Sequence, residues 1–333
     1  MRIKRSLVRI GAVAALIVPA VALPTAASAG HHSHDVETVV LASGLQGSVG
    51  STIGPDGALY VPEANLGTVT RIDTRTGEKS TFATGLPKSI IGLGGAIDVA
   101  FKHGTAYVLV SVVSSDVGGN DVSGIYRVDD ADSFTVIADL GSFSSSHLPD
   151  YPVDVPSGLQ YALEPVRGGF LVTDGHHNRI LKVSLHGTIS EFLVFDNIVP
   201  TGLAVRHGTV YLAEAGPVPH DPSTGKVVSF GVRYPVVTDV ASGYSLLTDV
   251  ELGKSGLFAV SQGDSPGDVP AGSPALPDSG ELLKVDRDGT FSVVVDGLDL
   301  PTSVSISRNK AYIVTLGGDV LKVSGLGHRH GRH

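Results

Sequence analysis

The sequence predicts an all-β fold, a six-bladed β-propeller closed by an N-terminal strand in its last blade. Three observations lead to it. Short apolar stretches alternate with tight turns in a chain of 333 residues that contains 42 glycines and 19 prolines. One phrase of strand, turn and strand occurs six times. The sixth copy lacks its fourth strand, and a matching strand stands at the opposite end of the propeller region.

The six copies of the phrase are spaced like the blades of a propeller. They align on one apolar position, and the intervals between successive copies are 46, 60, 44, 47 and 54 residues. Propeller blades repeat at roughly 40–50 residues. The aligned apolar residues are Ile53, Val99, Leu159, Leu203, Val250 and Val304.

Each copy continues with a third strand, such as "RILKVS", and the first five continue with a fourth. The sixth copy ends at Leu326 without one. The stretch "VETVVLASGL", residues 36–45, resembles "FSVVVDGLDL", residues 291–300, which provides the fourth strand of the fifth copy. Pairing of the N-terminal strand into the last blade would close the ring and protect open sheet edges. An irregular β-sandwich is the alternative, but it would not produce six copies.

The N-terminus has the pattern of a secretory leader. Four basic residues precede an apolar run from Ile10 to Leu23, and small residues stand at Ala27 and Ala29. We expect residues 1–29 to be a signal peptide and the mature protein to be secreted and extracellular. A membrane anchor is the alternative, but the run is short and contains Pro19. The mature chain then divides into a His-rich N-terminus (30–35), the propeller (36–326) and a His- and Arg-rich tail (327–333), both ends expected to be disordered.

Composition limits the classes of partner. Cleavage removes four basic residues and no acidic ones, so the formal net charge falls from −9 to −13. Nucleic acid is excluded as a partner, because phosphate binding needs clustered Lys and Arg. The chain has no cysteine, so it has neither a disulfide nor a thiol nucleophile. We expect a monomer that has no membrane span once the leader is removed.

Insertions in the repeats gather on one side of the predicted disc. The turns between first and second strands are short, as in "PDG" and "RHG". The loops between second and third strands and the links between blades hold the long segments, among them residues 114–124, 217–225 and 263–280. Long loops grouped on a rigid scaffold usually carry binding. We therefore assign function to this side, here called the loop face.

Polar residues at the strand ends near this face are the candidate ligand-binding residues. Blades 2 and 5 oppose one another in a six-bladed ring, so the carboxylates of Asp98 and Asp249 should face each other across the channel. Such oxygen groups could hold Ca²⁺, bind a polar ligand or order water, or simply cap strand ends and accept hydrogen bonds from loop amides. No other cofactor is evident, and no residue is assigned as a metal ligand. The six candidates are Glu63, Asp98, Asp174, Glu214, Asp249 and Gln262.

The zinc-protease motif H-E-x-x-H does not occur in the sequence. His176 and His177 follow Asp174, but neighbouring residues of an extended chain point to opposite sides, so we expect a solvated loop rather than a metal site. The catalytic residues therefore remain unassigned.

The phrase "NRILKV" resembles the third strand of the NHL-type propeller repeat. The whole pattern, exported and six-bladed with Gly-Leu endings between blades, is similar to the ScyD/ScyE family of bacterial proteins over residues 36–326. The resemblance implies an exported propeller, and it carries no catalytic residue over to this chain.

Two classes of function follow as hypotheses. The first is a secreted binding or scaffold protein that recognises a small polar ligand, a glycan or a protein loop on the loop face. The alternative is a metal-dependent hydrolase or lyase similar to the six-bladed lactonase-type propellers, which use acidic and amide ligands around a channel metal. Glu63, Asp174 and Glu214 could serve in such a set, although its Asn-rich part is not evident.

Overall fold

The computed structural model describes residues 36–218, 221, 223–267, 269 and 273–326. The predicted signal peptide and both His-rich ends lie outside these residues. Within them, six antiparallel four-stranded sheets contain 24 strands, which confirms the predicted six-bladed propeller. No helix of the described part is long and apolar enough to cross a membrane.

The strands of blades 1 to 5 follow one another along the chain. Blade 1 contains β2 (Thr52–Ile53), β3 (Leu59–Glu63), β4 (Thr68–Ile72) and β5 (Lys79–Thr84). Blade 2 contains β6 (Gly95–Lys102), β7 (Thr105–Ser111), β8 (Gly124–Asp130) and β9 (Ser133–Asp139). Blade 3 contains β10 (Gln160–Val166), β11 (Gly169–Asp174), β12 (Arg179–Ser184) and β13 (Ile189–Val194). Blade 4 contains β14 (Pro200–Arg206), β15 (Thr209–Glu214), β16 (Gly225–Gly231) and β17 (Thr238–Tyr244). Blade 5 contains β18 (Leu247–Gly253), β19 (Gly256–Ser261), β20 (Gly280–Val285) and β21 (Phe291–Leu298).

Blade 6 combines the two ends of the propeller, as the sequence predicts. Its strands are β22 (Pro301–Ser307), β23 (Lys310–Thr315), β24 (Val320–Ser324) and the N-terminal β1 (Glu37–Ala42). β1 pairs antiparallel with β24 from Glu37 opposite Ser324 to Ala42 opposite Val320. Beyond it, the Leu45 N–H donates to the Gly318 carbonyl at 3.0 Å. The chain therefore closes its ring by backbone pairing.

The closing segment, residues 37–46, is also held by contacts with blade 1 on its other side. Lys79 Nζ donates to the Ser43 carbonyl at 2.6 Å, and the Gln46 N–H donates to Glu63 Oε2 at 2.9 Å. The Leu45 side chain is 5% exposed and packs with Leu59 in the core between blades 6 and 1. The segment thus joins two blades.

The first strands of blades 2 to 6 each contain a register shift, which changes part of the predicted alignment. In blade 3, Gln160 lies opposite Asp174 but Leu163 lies opposite Val172, so β10 has one extra residue. Leu163, not Leu159, therefore matches Val99 of blade 2, which lies opposite Val108. A bulge redirects the side chains that follow it.

One segment predicted to be a loop is helical. The link from blade 2 to blade 3 begins with α1 (Leu140–Ser146). Asp139 caps it, with Oδ1 accepting from the Ser142 N–H at 2.8 Å and Oδ2 accepting from Ser142 Oγ at 2.7 Å. Asp is a favoured N-cap residue. Leu140 is fully buried, so the helix is packed against the propeller.

Candidate functional site

The central channel is lined by two rings of residues from the first strands. In blades 2 to 6 the two rings flank the matched apolar residue, whereas in blade 1 they flank Ser51 and not the predicted Ile53. Within a strand the two rings share one side because residues two apart point the same way. A cavity of about 60 Å³ lies between them. The first ring is Gly50, Asp98, Ala162, Gly202, Asp249 and Ser303, all of which line this cavity. The second ring contributes Thr52, Ala100, Glu164 and Glu251 to its lining.

The two predicted channel aspartates do line this one cavity. Asp98 accepts the Val99 N–H through Oδ1 at 2.8 Å and the Leu163 N–H of blade 3 through Oδ2 at 2.7 Å. Asp249 repeats this pattern in blade 5, accepting the backbone N–H groups of Val250 and of Val304 in blade 6, both at 2.8 Å. Each carboxylate therefore joins its blade to the next.

Glycines make room for both aspartates. A Cβ atom at Gly50 would lie 2.3 Å from Asp98 Oδ1, and one at Gly202 would lie 2.0 Å from Asp249 Oδ1. No real side chain tolerates such a contact, so the preceding blade must present glycine. The combination of glycine, aspartate and backbone N–H thus occurs in blades 1 to 3 and again in blades 4 to 6.

Two further carboxylates line the channel and were missed in the sequence. Glu164 Oε1 accepts from the Val205 N–H at 3.1 Å, and Glu251 Oε1 accepts from the Leu252 N–H at 2.7 Å. Glu251 follows Asp249 by two residues, so strand alternation could have placed it on the channel side. The bulge in β10 adds one residue before Glu164, so the sequence alignment does not show that Glu164 corresponds to Glu251.

Tyr161 crosses the channel. It belongs to blade 3, and its hydroxyl donates at 3.0 Å to the carbonyl of Thr302 in the opposite blade, blade 6. Burial and then the charges of Asp249 and Asp98 raise its pKa, so it stays a neutral donor. The side chain therefore bridges the ring beside the two aspartates.

Burial raises the pKa values of all four channel carboxyl groups. The pKa is about 7 for Asp98 and for Glu251, in both cases mainly because burial penalises the charged form. Burial raises the pKa of Asp249 and of Glu164 well above the usual range, and the charge of Glu251 adds to both. At neutral pH the channel therefore carries less charge than its four carboxyl groups would in water.

These pKa shifts predict a pH dependence of stability. A carboxyl group with a raised pKa is penalised in the folded state only when it ionises. Below about pH 4 both states are protonated and the penalty is absent; between about pH 4 and pH 7 the unfolded chain ionises first, so stability falls. We expect the double variant Glu164→Gln/Glu251→Gln to be more stable than wild type by about 1–3 kcal/mol at pH 8 and equal to it near pH 4.

Urea denaturation from pH 4 to pH 8 measures this difference. Gln keeps an oxygen for the one backbone N–H that each of these two side chains accepts. Asp98→Asn would lose one of its two accepted N–H groups, so it is the less suitable variant. The exposed Glu78→Gln is the control and should change nothing. A pH-independent difference for the double variant would contradict the prediction.

The other four predicted residues lie outside this cavity, at or just beyond the ends of second strands. Glu63 accepts the Gln46 N–H of the closing segment and the hydroxyl of Thr70. Glu214 is 2% exposed, and burial raises its pKa to about 7. Gln262 Oε1 accepts from the Ala275 N–H at 3.0 Å. The fold thus separates the four groups from one another. Three of them, Glu63, Gln262 and Asp174, make hydrogen bonds within the protein.

Asp174 belongs to a buried ion-pair network around Arg179, which is 2% exposed. Arg179 Nε lies 3.0 Å from Asp174 Oδ2, and Nη1 lies 2.8 Å from Glu191 Oε1 and 2.6 Å from the His147 carbonyl. Nη2 lies 3.0 Å from His177 Nδ1, which must accept because a guanidinium can only donate. The expectation of a solvated loop is therefore wrong for His177, which is 1% exposed.

This network attaches α1 to blade 3. Ser144 of α1 donates to Asp174 Oδ2 at 2.9 Å, and the Leu159 N–H donates to Asp174 Oδ1 at 3.2 Å. Burial alone would raise the pKa of Asp174, but the charge of Arg179 and the hydrogen bond from Ser144 hold it below the usual range. The carboxylate stays ionised and fixes the position of the helix.

A larger cavity lies on the loop face between α1 and the β7–β8 loop. This loop-face cleft has a volume of about 590 Å³. That is within the usual range of small-molecule sites, about 300–1,000 Å³. Its lining is polar and contains six serines, three aspartates and one asparagine. Among the described residues that line it, Val122 alone has an apolar side chain. The lining is Ser114, Ser115, Asp116, Asn120, Asp121, Val122, Asp139, Gly141, Ser142, Ser145, Ser146 and Ser157.

Hydrogen bonds hold the two walls of the cleft together. Asp116 Oδ2 on the β7–β8 loop accepts from the Ser157 N–H at 2.8 Å. The Gly141 N–H at the start of α1 donates to the Ser123 carbonyl at 2.9 Å. A Cβ atom at Gly141 would lie 2.9 Å from Ser114 Oγ, so glycine lets the walls approach. The cleft is therefore formed by the fold itself, before any ligand binds.

Ser157 is the unusual residue of this lining. It is 1% exposed, and its hydroxyl has no hydrogen-bond partner among the described residues. A buried hydroxyl without a partner costs about 1–3 kcal/mol. Among the described residues, no group of three acidic or histidine side chains is placed so that it could hold a metal ion.

Comparisons with known proteins show the fold. No protein-family model matches the chain, and no curated protein matches its sequence. Virginiamycin B lyase from Staphylococcus aureus superimposes with a TM-score of 0.52 and 10% identity over 87% of this chain and 99% of the lyase. A protein assigned as a gluconolactonase gives 0.56 and 13%, over 88% and 93%. A chain of the nidogen/laminin complex gives 0.53 and 14%, over 76% and 83%.

The likeness establishes a six-bladed propeller. At 10–14% identity it does not extend to an activity, since the matched proteins include both enzymes and a component of a protein complex.

Proposed function

We propose that this chain is an exported binding protein that holds a small polyhydroxylated ligand, free or at the end of a glycan, in the loop-face cleft. The observation that carries the proposal is the cleft itself, about 590 Å³ in volume and lined mainly by serine hydroxyls and aspartate carboxylates. Hydroxyl and carboxylate oxygens suit a ligand rich in hydroxyl groups, because each can accept from it and the serines can also donate.

The central channel is a poorer ligand site than the loop-face cleft. Its cavity is about 60 Å³, room for a few water molecules rather than for a substrate. Asp98 and Asp249 are already occupied by backbone N–H groups. Export is supported by the leader pattern and by the resemblance to the exported ScyD/ScyE propellers.

The metal-dependent hydrolase or lyase remains the second candidate, because virginiamycin B lyase and the protein assigned as a gluconolactonase have the same fold. Melting with and without Ca²⁺, Mg²⁺ or Zn²⁺ separates the two. A resident metal at 100 times its dissociation constant would stabilise the folded state by about 2.7 kcal/mol. We expect no such stabilisation, and a clear rise in melting temperature with one ion would favour the enzyme.

Calorimetric titration with a series of monosaccharides tests the binding proposal, with Ser157→Ala as the informative variant. Since the Ser157 hydroxyl has no hydrogen-bond partner in the described part of the chain, its removal should leave the melting temperature unchanged or raise it. Saccharide affinity should fall about fivefold or more, which corresponds to the loss of about one hydrogen bond. If the residue were only structural, stability would fall instead.

A blocking variant provides a second measurement. Ser145 is exposed on α1 and lines the cleft, so Ser145→Trp should fill it and abolish binding. The matched control is Ser133→Trp, an exposed position on β9 outside the cleft lining. Equal loss of binding in both variants would refute the proposal. So would a lack of saccharide binding to wild type at 20 mM, which is about 20 times the dissociation constant of a ligand that binds with a Kd of about 1 mM.

A further inference from the structure

The charge of the loop-face cleft narrows the class of its ligand, and this inference rests on the proposed function. Three of its twelve lining residues are aspartates, and no lining residue is Lys, Arg or His. An anionic ligand, such as a uronic acid or a phosphate ester, would meet only like charge there. A hydrophobic ligand would leave these polar groups without water or partners.

The three carboxylates differ in how far the fold already uses them. Asp139 uses both oxygens as the cap of α1. Asp116 uses only Oδ2, which accepts the Ser157 N–H. The exposed Asp121 donates its backbone N–H to the Val113 carbonyl, and this hydrogen bond does not use its side chain. Asp116 and Asp121 are therefore the carboxylates best able to accept from a ligand.

The electrostatic effect of these carboxylates reaches neighbouring groups. Burial raises the pKa of Tyr126 to about 12, and the charges of Asp121 and then Asp139 add to the increase. The Tyr126 hydroxyl donates to the carbonyl of Val122, itself a lining residue, at 2.9 Å. Negative potential thus extends over this wall of the cleft, and it favours a positive group on the ligand.

A bare metal ion does not satisfy the whole lining. Serines outnumber aspartates two to one, and among the described residues no group of three acidic or histidine side chains is placed so that it could hold a metal ion. The partnerless hydroxyl of Ser157 also calls for a group that both donates and accepts, as a ligand hydroxyl does and a metal ion does not.

From these observations we propose that the ligand is an amino sugar, a polyhydroxylated ring with a protonated amine that pairs with Asp116 and Asp121 while its hydroxyl groups bind the serines. Binding is reversible and involves no covalent step.

Four ligands that share one ring test this proposal: glucosamine, N-acetylglucosamine, glucose and glucuronate. Titrations of the mature protein at pH 6.5 and 20 mM NaCl should show glucosamine binding about tenfold more tightly than glucose or N-acetylglucosamine, a difference of about 1.4 kcal/mol. Glucuronate should bind most weakly. The glucosamine preference should shrink at 300 mM NaCl, since salt screens exposed charges.

Asp121→Asn isolates the charge, because the amide keeps the size and an acceptor oxygen. The variant should lose most of the preference for glucosamine over glucose. The exposed Asp132→Asn, outside the cleft lining, is the matched control and should keep the preference.

The outcomes separate the two proposals. Equal binding of glucose and glucosamine would overturn the amino-sugar inference and leave the binding proposal intact. Displacement of glucosamine by millimolar Ca²⁺ would also overturn it, by showing a cation site. Failure of all four ligands to bind would overturn both.

Discussion

Removal of residues 36–45 is expected to destabilise the propeller by roughly 5 kcal/mol or more and to make it aggregate. The deletion leaves β24 without its partner β1, so one whole strand edge of blade 6 loses its hydrogen bonds. It also removes the buried side chains of Ala42 and Leu45 from the core between blades 6 and 1. Exposed strand edges are templates for association.

Thermal melting and size-exclusion chromatography measure the effect. A control variant that begins at residue 36 keeps β1 and should behave like the full mature chain. A synthetic peptide of residues 36–46 should restore part of the stability of the truncated protein in trans. The same peptide with Leu41→Asp and Ala42→Asp should not, because both side chains belong to the core packing of this segment.

An unchanged melting temperature for the soluble truncated protein would show that closure by β1 contributes nothing. Aggregation that the wild-type peptide cannot reduce would point instead to misfolding of the whole ring.

Loss of one partner of the Asp174–Arg179 pair is expected to cost about 3–5 kcal/mol. Asp174→Ala leaves the Arg179 guanidinium, 2% exposed, with the half-exposed Glu191 as its one charged partner among the described residues. It also removes the acceptor of the Ser144 hydroxyl and of the Leu159 N–H. The melting temperature should fall by roughly 10 °C.

Two comparisons make this measurement specific. Glu191→Gln, which removes the solvent-exposed partner of Arg179, should cost less than about 1 kcal/mol. The double variant Asp174→Leu/Arg179→Met should be less destabilised than the sum of its single changes, because no unpaired charge stays buried. Strict additivity would show that the two residues act separately.

The same network links stability to the loop-face cleft. Asp174 holds α1 through Ser144, and α1 forms one wall of the cleft. In Asp174→Ala, saccharide affinity should therefore fall even at temperatures where the protein is folded. Asp174 then acts as a positioning residue, although the sequence marks it as a candidate ligand-binding residue.

Much of the fold could be predicted because it depends on local patterns. A strand, a tight turn and a second strand leave the same trace in every blade, and residues 36–45 resemble a fourth strand wherever they pair. The register of β10 could not be predicted, since its extra residue matters only once Leu163 lies opposite Val172. α1 was also missed, as seven residues rich in Ser and Gly have low helix propensity.

The candidate site was predictable only in part. Asp98 and Asp249 were placed in the channel because they occupy equivalent positions of the repeated phrase. Glu164 was hidden by the bulge that precedes it. The burial of His177 could not be predicted, because it results from Arg179 and from Val155, whose carbonyl lies 3.2 Å from Nε2.

By itself, the sequence determined the number of blades, their order and the strand that closes the ring, because each of these leaves a local pattern of residues. The pattern of the closing strand is local too, although its partner β24 stands at the other end of the propeller. Tertiary structure alone decided that Glu164 and Glu251 join the two aspartates in the channel, and where a ligand-sized cleft forms. Its walls are the β7–β8 loop and the link that begins with α1, with Ser157 further along that link. Their meeting depends on how blades 2 and 3 pack around the ring, and no local pattern of residues encodes that distance.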